Sequence, residues 1–363
     1  MLKYNRLYFE FITIFATIIS NYKTMKNGKI TIHDISKALG IDSSTVSRAL
    51  NDSPRVSKKT KEIILNKAKE VGYQRNSLAS NLRTNKTHTI AVVLPRVSRY
   101  FFATVIAGIE ETAYEAGYNV IICQSLDNLN REKKIISTLI SNRVDGIIMS
   151  ISMETTNYEH LQAYKKLGKP IVFFDRPCSL NNCSNININN FQSSFNATKH
   201  LILKGCKHIA YFSGSLDIEL YRQRKNGYIA ALNEHNIKVN EHYIFESNLS
   251  EEDGIKSAKK ILQLKSIDGL YSSNDTAAIS AMQYLKSKNI RIPEDIAVVG
   301  FNNDPISAII EPSLTTINQP AFKIGKIASN LLVDQIENKT TNIKEQSKLL
   351  NSELIIRNSS KKV

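Results

Sequence analysis

The chain has 363 residues, of which 42% are hydrophobic and 22% charged, and a net charge of +15. That length suits two or three domains and excludes a small disulfide-stapled module, while the composition excludes a disordered, collagen-like or polytopic membrane chain. The charge is unevenly placed: residues 1–89 hold 16 Lys/Arg against 6 Asp/Glu, and the remainder holds 32 against 27.

A basic first quarter on a nearly balanced body fits a nucleic-acid-binding head, because Lys and Arg gain by releasing phosphate counterions. On charge alone, a solvated basic face fits equally well. The four cysteines, Cys123, Cys178, Cys183 and Cys206, form no CxxC pair and have no histidine at ligand spacing. Neither zinc nor a disulfide framework is expected, and the thiols read as reduced and cytoplasmic.

Residues 7–19 form an apolar stretch interrupted by Glu10 and preceded by Lys3 and Arg6. It is a poor secretory signal, with no small-x-small cleavage site after it, and it is shorter than the roughly 20 apolar residues of a spanning helix. We expect residues 1–24 to be an upstream extension of no fold consequence and Met25 to be the functional start; an interfacial helix is the alternative.

From Thr31 the pattern becomes regular. Thr31 and Asp34 have capping-box spacing, and Ile32, Ile35, Ala38 and Leu39 recur at helical intervals up to Gly40. A second short helix follows, capped by Asp42 or Ser43, with Val46, Ala49 and Leu50 turned inward. So tight a connection predicts a helix-turn-helix, with Ser43, Ser44, Ser47 and Arg48 facing outward, all able to donate hydrogen bonds and small enough to enter a major groove. A third helix is predicted after Ser57, with Ile63, Ile64, Ala68 and Val71 on one face, lysines on the other and Gly72 at its end.

The segment ITIHDISKALGIDSSTVSRALND, residues 30–52, closely resembles the N-terminal signature of the lactose/galactose-repressor family of bacterial transcription regulators. The resemblance implies that Arg48, Ser43 and Ser44 read bases, that Thr31, Thr45, Ser47 and Asn51 hold phosphates, and that double-stranded DNA is the partner. Residues 77–83, SLASNLR, look like the family's hinge helix, in which a leucine at the position of Leu82 wedges into the minor groove at the centre of a palindromic site. From the residues alone, a linker helix packing Leu78 and Leu82 on the body is the favoured reading.

Beyond residue 89, β-branched apolar runs alternate with amphipathic stretches in two sets, which predicts two doubly wound lobes of parallel strands with the ligand site between them. The body resembles the two-lobed, periplasmic-binding-protein-like core of the same family. That resemblance divides the chain into a helix-turn-helix domain at 25–74, a hinge and linker at 75–88, and an effector-binding and dimerisation core at 89–360. The first lobe would take about 89–187 plus 320–347 and the second about 188–319 plus 348–360, with three crossings between them.

Strand-end positions implied to touch the effector are Phe101 and Phe102 as an aromatic floor, Asp175 as an acceptor for ligand hydroxyls, Arg224, Asn274 and Asn302. Asn302 stands where many relatives carry Asp, so the pocket departs from the sugar-binding pattern and the effector's identity stays open. Asp275, ahead of Thr276, Ala277 and Ala278, is expected to cap a helix.

The seven histidines are scattered, and no HExxH, G-x-S-x-G, phosphate loop or dinucleotide fingerprint is present. We therefore expect a cytoplasmic, homodimeric regulator of α/β body and all-α head, with no cofactor, no metal and no membrane contact, controlled by a sugar-like effector. A solute-binding protein and a sugar-processing α/β enzyme are the alternatives.

Overall fold

The structure is a computed structural model that describes residues 30–73, 86–176, 178, 180, 183–264, 266–337 and 346–361. The expected extension 1–24 and Leu82 with the predicted hinge helix lie outside the described residues. The chain divides into two compact units at residues 85 and 86, and each is taken by itself.

The N-terminal unit contains α1 (Ile32–Leu39), α2 (Ser43–Leu50) and α3 (Lys58–Glu70). Asp34 does reach back to the first turn, accepting from the backbone N–H and the hydroxyl of Thr31, both at 2.8 Å. Gly40 ends α1 at φ +64°, a conformation that costs other L-residues strain, and its N–H closes on the carbonyl of Ser36. Asp42 then caps α2 by accepting from the Ser44 N–H at 2.8 Å.

The three helices share one small core, built from Ile35, Val46, Ala49, Val56, Ile64 and Ala68. Two inward assignments fail. Ala38 is exposed, and Ile63 is 45% exposed beside Ile64. Ile63 precedes Ile64 by one residue, a step of about 100° around a helix, so a bundle this thin buries only one of the two.

The second unit opens with β1 (Thr89–Leu94), α4 (Tyr100–Glu115), β2 (Asn119–Gln124), α5 (Leu129–Ser141), β3 (Gly146–Met149), α6 (Glu159–Lys165), β4 (Ile171–Phe174) and β5 (Ser184–Ile188). It continues with α7 (Asn190–Leu203), β6 (Ile209–Ser213), α8 (Glu219–Glu234), β7 (Ile244–Glu246), α9 (Glu251–Leu264), β8 (Gly269–Ser272), α10 (Asp275–Lys286), β9 (Ala297–Phe301), α11 (Ile306–Ile309) and β10 (Thr315–Asn318). It closes with α12 (Ala321–Glu337), β11 (Ser347–Leu350) and β12 (Glu353–Ile355).

Two six-stranded sheets result, in the orders β11-β5-β4-β3-β1-β2 and β12-β10-β9-β8-β6-β7. Every pairing is parallel except β10 with β12. Ile90 to Leu94 and the whole of β4 are buried, as expected of parallel strands covered by helices on both faces.

The first lobe is locked from behind by α12, which crosses α4 so closely that a Cβ on Gly108 would meet the Phe322 carbonyl oxygen and one on Gly325 the Val105 carbonyl oxygen. In the second lobe, Tyr211 stacks between Tyr228 and Tyr271, each centroid pair 5.2 Å apart.

The chain passes between the lobes at residue 189, at 319–320 and at 351–352. Residues 347–350 join the first sheet beside β5, so the last passage follows Leu350. The first and last passages are stitched together: the Asn189 N–H donates to the Leu350 carbonyl, and the Ser193 and Ser352 hydroxyls meet at 2.6 Å.

Candidate DNA-reading face and effector cleft

On the head, Ser44 and Arg48 are exposed on α2, with Ser43, Thr45 and Ser47 half-buried beside them. Thr31 caps α1 and turns its hydroxyl to Asp34. Asn51 closes the end of α2 by donating its amide to the Ser47 carbonyl at 2.6 Å. Asp52, at φ +51°, pairs with Lys61 at 2.5 Å and ties the end of α2 to α3. The outcome is a short, rigid helix with a hydroxyl-rich, basic outer side, geometrically able to lie in a major groove.

In the body, all six expected effector residues line one cleft between the lobes. Phe101 and Phe102 enter from the start of α4, edge to face at 5.2 Å, with Phe102 packed on Phe174; both rings also belong to the core. Asp175 follows β4 at φ +63° and accepts from the Ser150 hydroxyl at 3.3 Å. Burial pushes its carboxyl above the usual carboxylate range, and the nearby Arg176 and Arg224 guanidinium groups oppose that rise.

Arg224, on α8 and 4% exposed, donates from Nε to Asn190 Oδ1 at 2.8 Å and from Nη1 to the Ser273 carbonyl at 3.0 Å, with its guanidinium carbon 3.6 Å from the Phe301 ring centroid. Asn274 faces the cleft with its amide already engaged, accepting from the Ala277 N–H and donating to the Leu249 carbonyl. Asn302, at φ +115°, accepts from Gln319 at 2.8 Å.

The expected capping role of Asp275 is corrected: Asn274 caps α10, and Asp275 is its buried first residue. Its carboxylate instead accepts from the Thr316 hydroxyl at 2.7 Å and from the Asp304 N–H at 2.8 Å, pinning the β9–α11 connection. One residue decides the difference, because a cap has extended backbone and a short side chain folded back on the next turn.

Burial raises Asp275 to about 7 and Asp304 to about 6. Between pH 4 and 7 the folded chain therefore holds a proton on Asp275 that the unfolded chain has lost, so stability falls as pH rises through that window. We expect Asp275→Asn to remove the Asp275 share of this slope and to leave that of Asp304. In urea titrations the wild type should gain on the variant as pH is lowered from about 8 to about 5. A difference that is constant with pH would sink the assignment.

Several cleft residues were not singled out from the sequence, namely Arg96, Arg99, Asp127, Arg176, Tyr221 and Gln319. Arg176 pairs with Asp127 at 2.5 Å and donates to the Ile151 carbonyl at 2.7 Å. Arg99, from the first lobe, reaches across to the second, donating to Thr276 Oγ1 at 2.6 Å and towards the Leu249 carbonyl at 3.4 Å. All but Tyr221, which stands in the first turn of α8, come from loops after strands, where nothing periodic marks them. Position relative to the strand ends was the one signal available.

Among the described residues, no group of three or more His, Cys, Asp or Glu side chains is placed to hold a metal ion. No helix among them is long and apolar enough to cross a membrane.

A helix-turn-helix head followed by a two-lobed body with a polar-lined cleft between the lobes is the build of an effector-controlled DNA-binding regulator. Comparison with known proteins agrees. A model of "Bacterial regulatory proteins, lacI family" matches residues 31–76, and one of "Periplasmic binding protein-like domain" matches residues 198–360.

The chain is 30% identical to catabolite control protein A of Priestia megaterium over 313 residues, 86% of this chain and 94% of that protein. It is 31% identical to the HTH-type transcriptional repressor PurR of Mannheimia succiniciproducens over 335 residues, 92% and 99% of the two chains. The solved complex of the transcriptional regulator CelR with cellobiose matches with a TM-score of 0.70 at 26% identity, covering 91% of this chain and 99% of that one. The chain belongs to the lacI family of bacterial regulatory proteins, and it is a DNA-binding transcription regulator under small-molecule control, as its relatives are regulators and not enzymes.

Proposed function

We propose that the protein is a cytoplasmic homodimeric repressor that binds a pseudo-palindromic operator and is switched by a sugar or sugar derivative held between the lobes. The observation that carries the reading is the convergence of Asp175 from the first lobe and Arg224 from the second on one cleft floored by Phe101 and Phe102. A carboxylate and a guanidinium across an aromatic floor suit a ring bearing hydroxyls, with apolar faces and polar edges. The sugar bound to CelR supports the same class of ligand.

Asn302, Asn274 and Gln319 add uncharged polar groups to the lining. A ligand touching both lobes stabilises one lobe geometry, and it shifts DNA affinity only by its differential affinity for the two geometries.

On the head, Arg48, Ser43 and Ser44 read bases, while Thr31, Thr45, Ser47 and Asn51 position the phosphates; Leu82 is assigned the central minor-groove wedge. Pairing of two copies is supported by the exposed apolar residues Ile121 and Ile122 on β2 and Tyr114 on the adjoining α4.

The test is selection of genomic fragments bound by the protein at near-physiological salt, since low salt inflates non-specific capture. The expected result is a palindromic consensus with a central pyrimidine–purine step. Arg48→Ala should relax one position of each half-site, at about 1–3 kcal/mol per contact. An unchanged preference profile for that variant would refute the role given to Arg48, and the absence of any enriched sequence would favour a solute-binding protein.

A further inference from the structure

The ionisable lining of the cleft is four arginines, Arg96, Arg99, Arg176 and Arg224, against two carboxylates, Asp127 and Asp175. Two of the arginines share one carboxylate, and a third follows on the same loop. Asp127 lies between Arg96 at 4.0 Å and Arg176 at 2.5 Å, and Arg99 stands on the same turn as Arg96, its N–H directed to the Arg96 carbonyl. Asp304 faces Arg99 from the second lobe. Among the described residues, the Arg99 side chain hydrogen-bonds to neutral groups, a hydroxyl and a carbonyl.

The Nε of Arg176 is buried without a hydrogen-bond partner, on a side chain that is 5% exposed and has Asp175 at 4.0 Å. The cleft also receives the N-terminus of α4, a 16-residue helix whose capping residue, Arg99, supplies no side-chain acceptor to the first turn. Orphan N–H groups and the positive end of the helix dipole favour an anion there. A buried guanidinium donor with no acceptor is costly, and a ligand oxygen would offset that cost.

We propose that the effector is anionic: a sugar-like molecule whose phosphate or carboxylate group is held by Arg96, Arg99 and Arg176 at the start of α4, while its hydroxyls meet Asp175 and Arg224. The inference rests on the cleft being the effector site. In this arrangement Arg99 is both a ligand contact and the bridge between lobes, so an anion that recruits it couples occupancy to lobe closure. Asn302, on the same cleft, fits the same selectivity, since an amide does not repel an anion.

The experiment uses the full-length protein, with inorganic phosphate as the first probe. Thermal unfolding is followed in phosphate and in chloride at matched ionic strength, for the wild type, Arg96→Gln and Arg99→Gln, and the chloride values show whether each variant is folded. Phosphate should raise the melting temperature of the wild type, and the rise should be lost in both variants. A response equal to that in chloride, or one that persists in both variants and so belongs to the basic head, overturns the proposal.

Calorimetry with glucose, glucose 6-phosphate and glucuronate then separates phosphate from carboxylate as the anionic group. An anionic member should bind on the order of tenfold or more tightly than its neutral counterpart, as expected when charge-assisted hydrogen bonds replace neutral ones. Tighter binding of the neutral sugar overturns the anionic effector but leaves the sugar cleft standing. If glucose and both charged forms fail to bind even the wild type while phosphate still acts through Arg96 and Arg99, the anion site stands and the sugar reading falls.

Discussion

Gly108→Ala is expected to destabilise the body by about 3 kcal/mol or more, at the upper end of overpacking effects. At most positions an added methyl meets side chains that can turn aside. Here it meets the Phe322 carbonyl oxygen, with the Lys326 amide nitrogen 3.1 Å away, and both belong to the backbone of α12. The contact is reciprocal, because a Cβ on Gly325 would strike the Val105 carbonyl oxygen of α4. Neither helix can retreat freely, since α12 also packs on β3 and β4 and α4 carries the aromatic floor. Gly325→Ala should therefore cost about the same, and the double variant less than the sum, because the first substitution already forces the helices apart. Urea unfolding measures all three; a loss below about 0.5 kcal/mol in Gly108→Ala would show that the crossing is looser than described.

Arg224→Met should abolish the response to effector. Methionine keeps much of the apolar stem over the Phe301 ring but removes the charge and two hydrogen bonds, leaving Asn190 Oδ1 and the Ser273 carbonyl without their donor. Losing these internal contacts lowers the stability of the second lobe, while effector affinity loses the contact Arg224 makes to the ligand itself, about 1.5–3 kcal/mol for a hydrogen bond from a charged group, or on the order of 10- to 100-fold. Arg224→Lys, which keeps the charge without the planar fork, should lie between. The readout is the ratio of operator affinity without and with effector, which should approach one in Arg224→Met. A ratio equal to that of the wild type would remove Arg224 from the ligand's surroundings.

The head was legible in the sequence because its signals are local. A cap at Thr31, a glycine at position 40, a cap at Asp42 and three or four apolar residues per helix define it within some forty residues. The first strands of each lobe were legible too, since burial on both faces leaves near-continuous apolar runs such as residues 90–94. Residues 184–188, SNINI, were not, because their asparagines and serine resemble a loop and only pairing with β4 and β11 makes them a strand.

In the cleft, Asp175 and Arg224 were found by their place after a strand or in a recognisable segment. The hydrogen bonds that occupy Asn274, and the reach of Arg99 across to Thr276, 177 positions later, depend on the tertiary fold. Nothing in a local window reports them. The exchange of roles between Asn274 and Asp275 shows the same limit at its smallest scale, a single residue of helix register.

The stitched passages between the lobes have a mechanical consequence. Three chain segments join the lobes, and the Asn189–Leu350 and Ser193–Ser352 hydrogen bonds hold two of them side by side, so those two passages move as one. Rotation about the line through the three passages leaves those bonds intact, as a door turns without stressing its pins. The Arg99–Thr276 bond across the lobes is the contact that this hinge rotation works against. The swing is widest farthest from the passages, so a small angular change at the ligand becomes a larger displacement at the outer edges of the lobes.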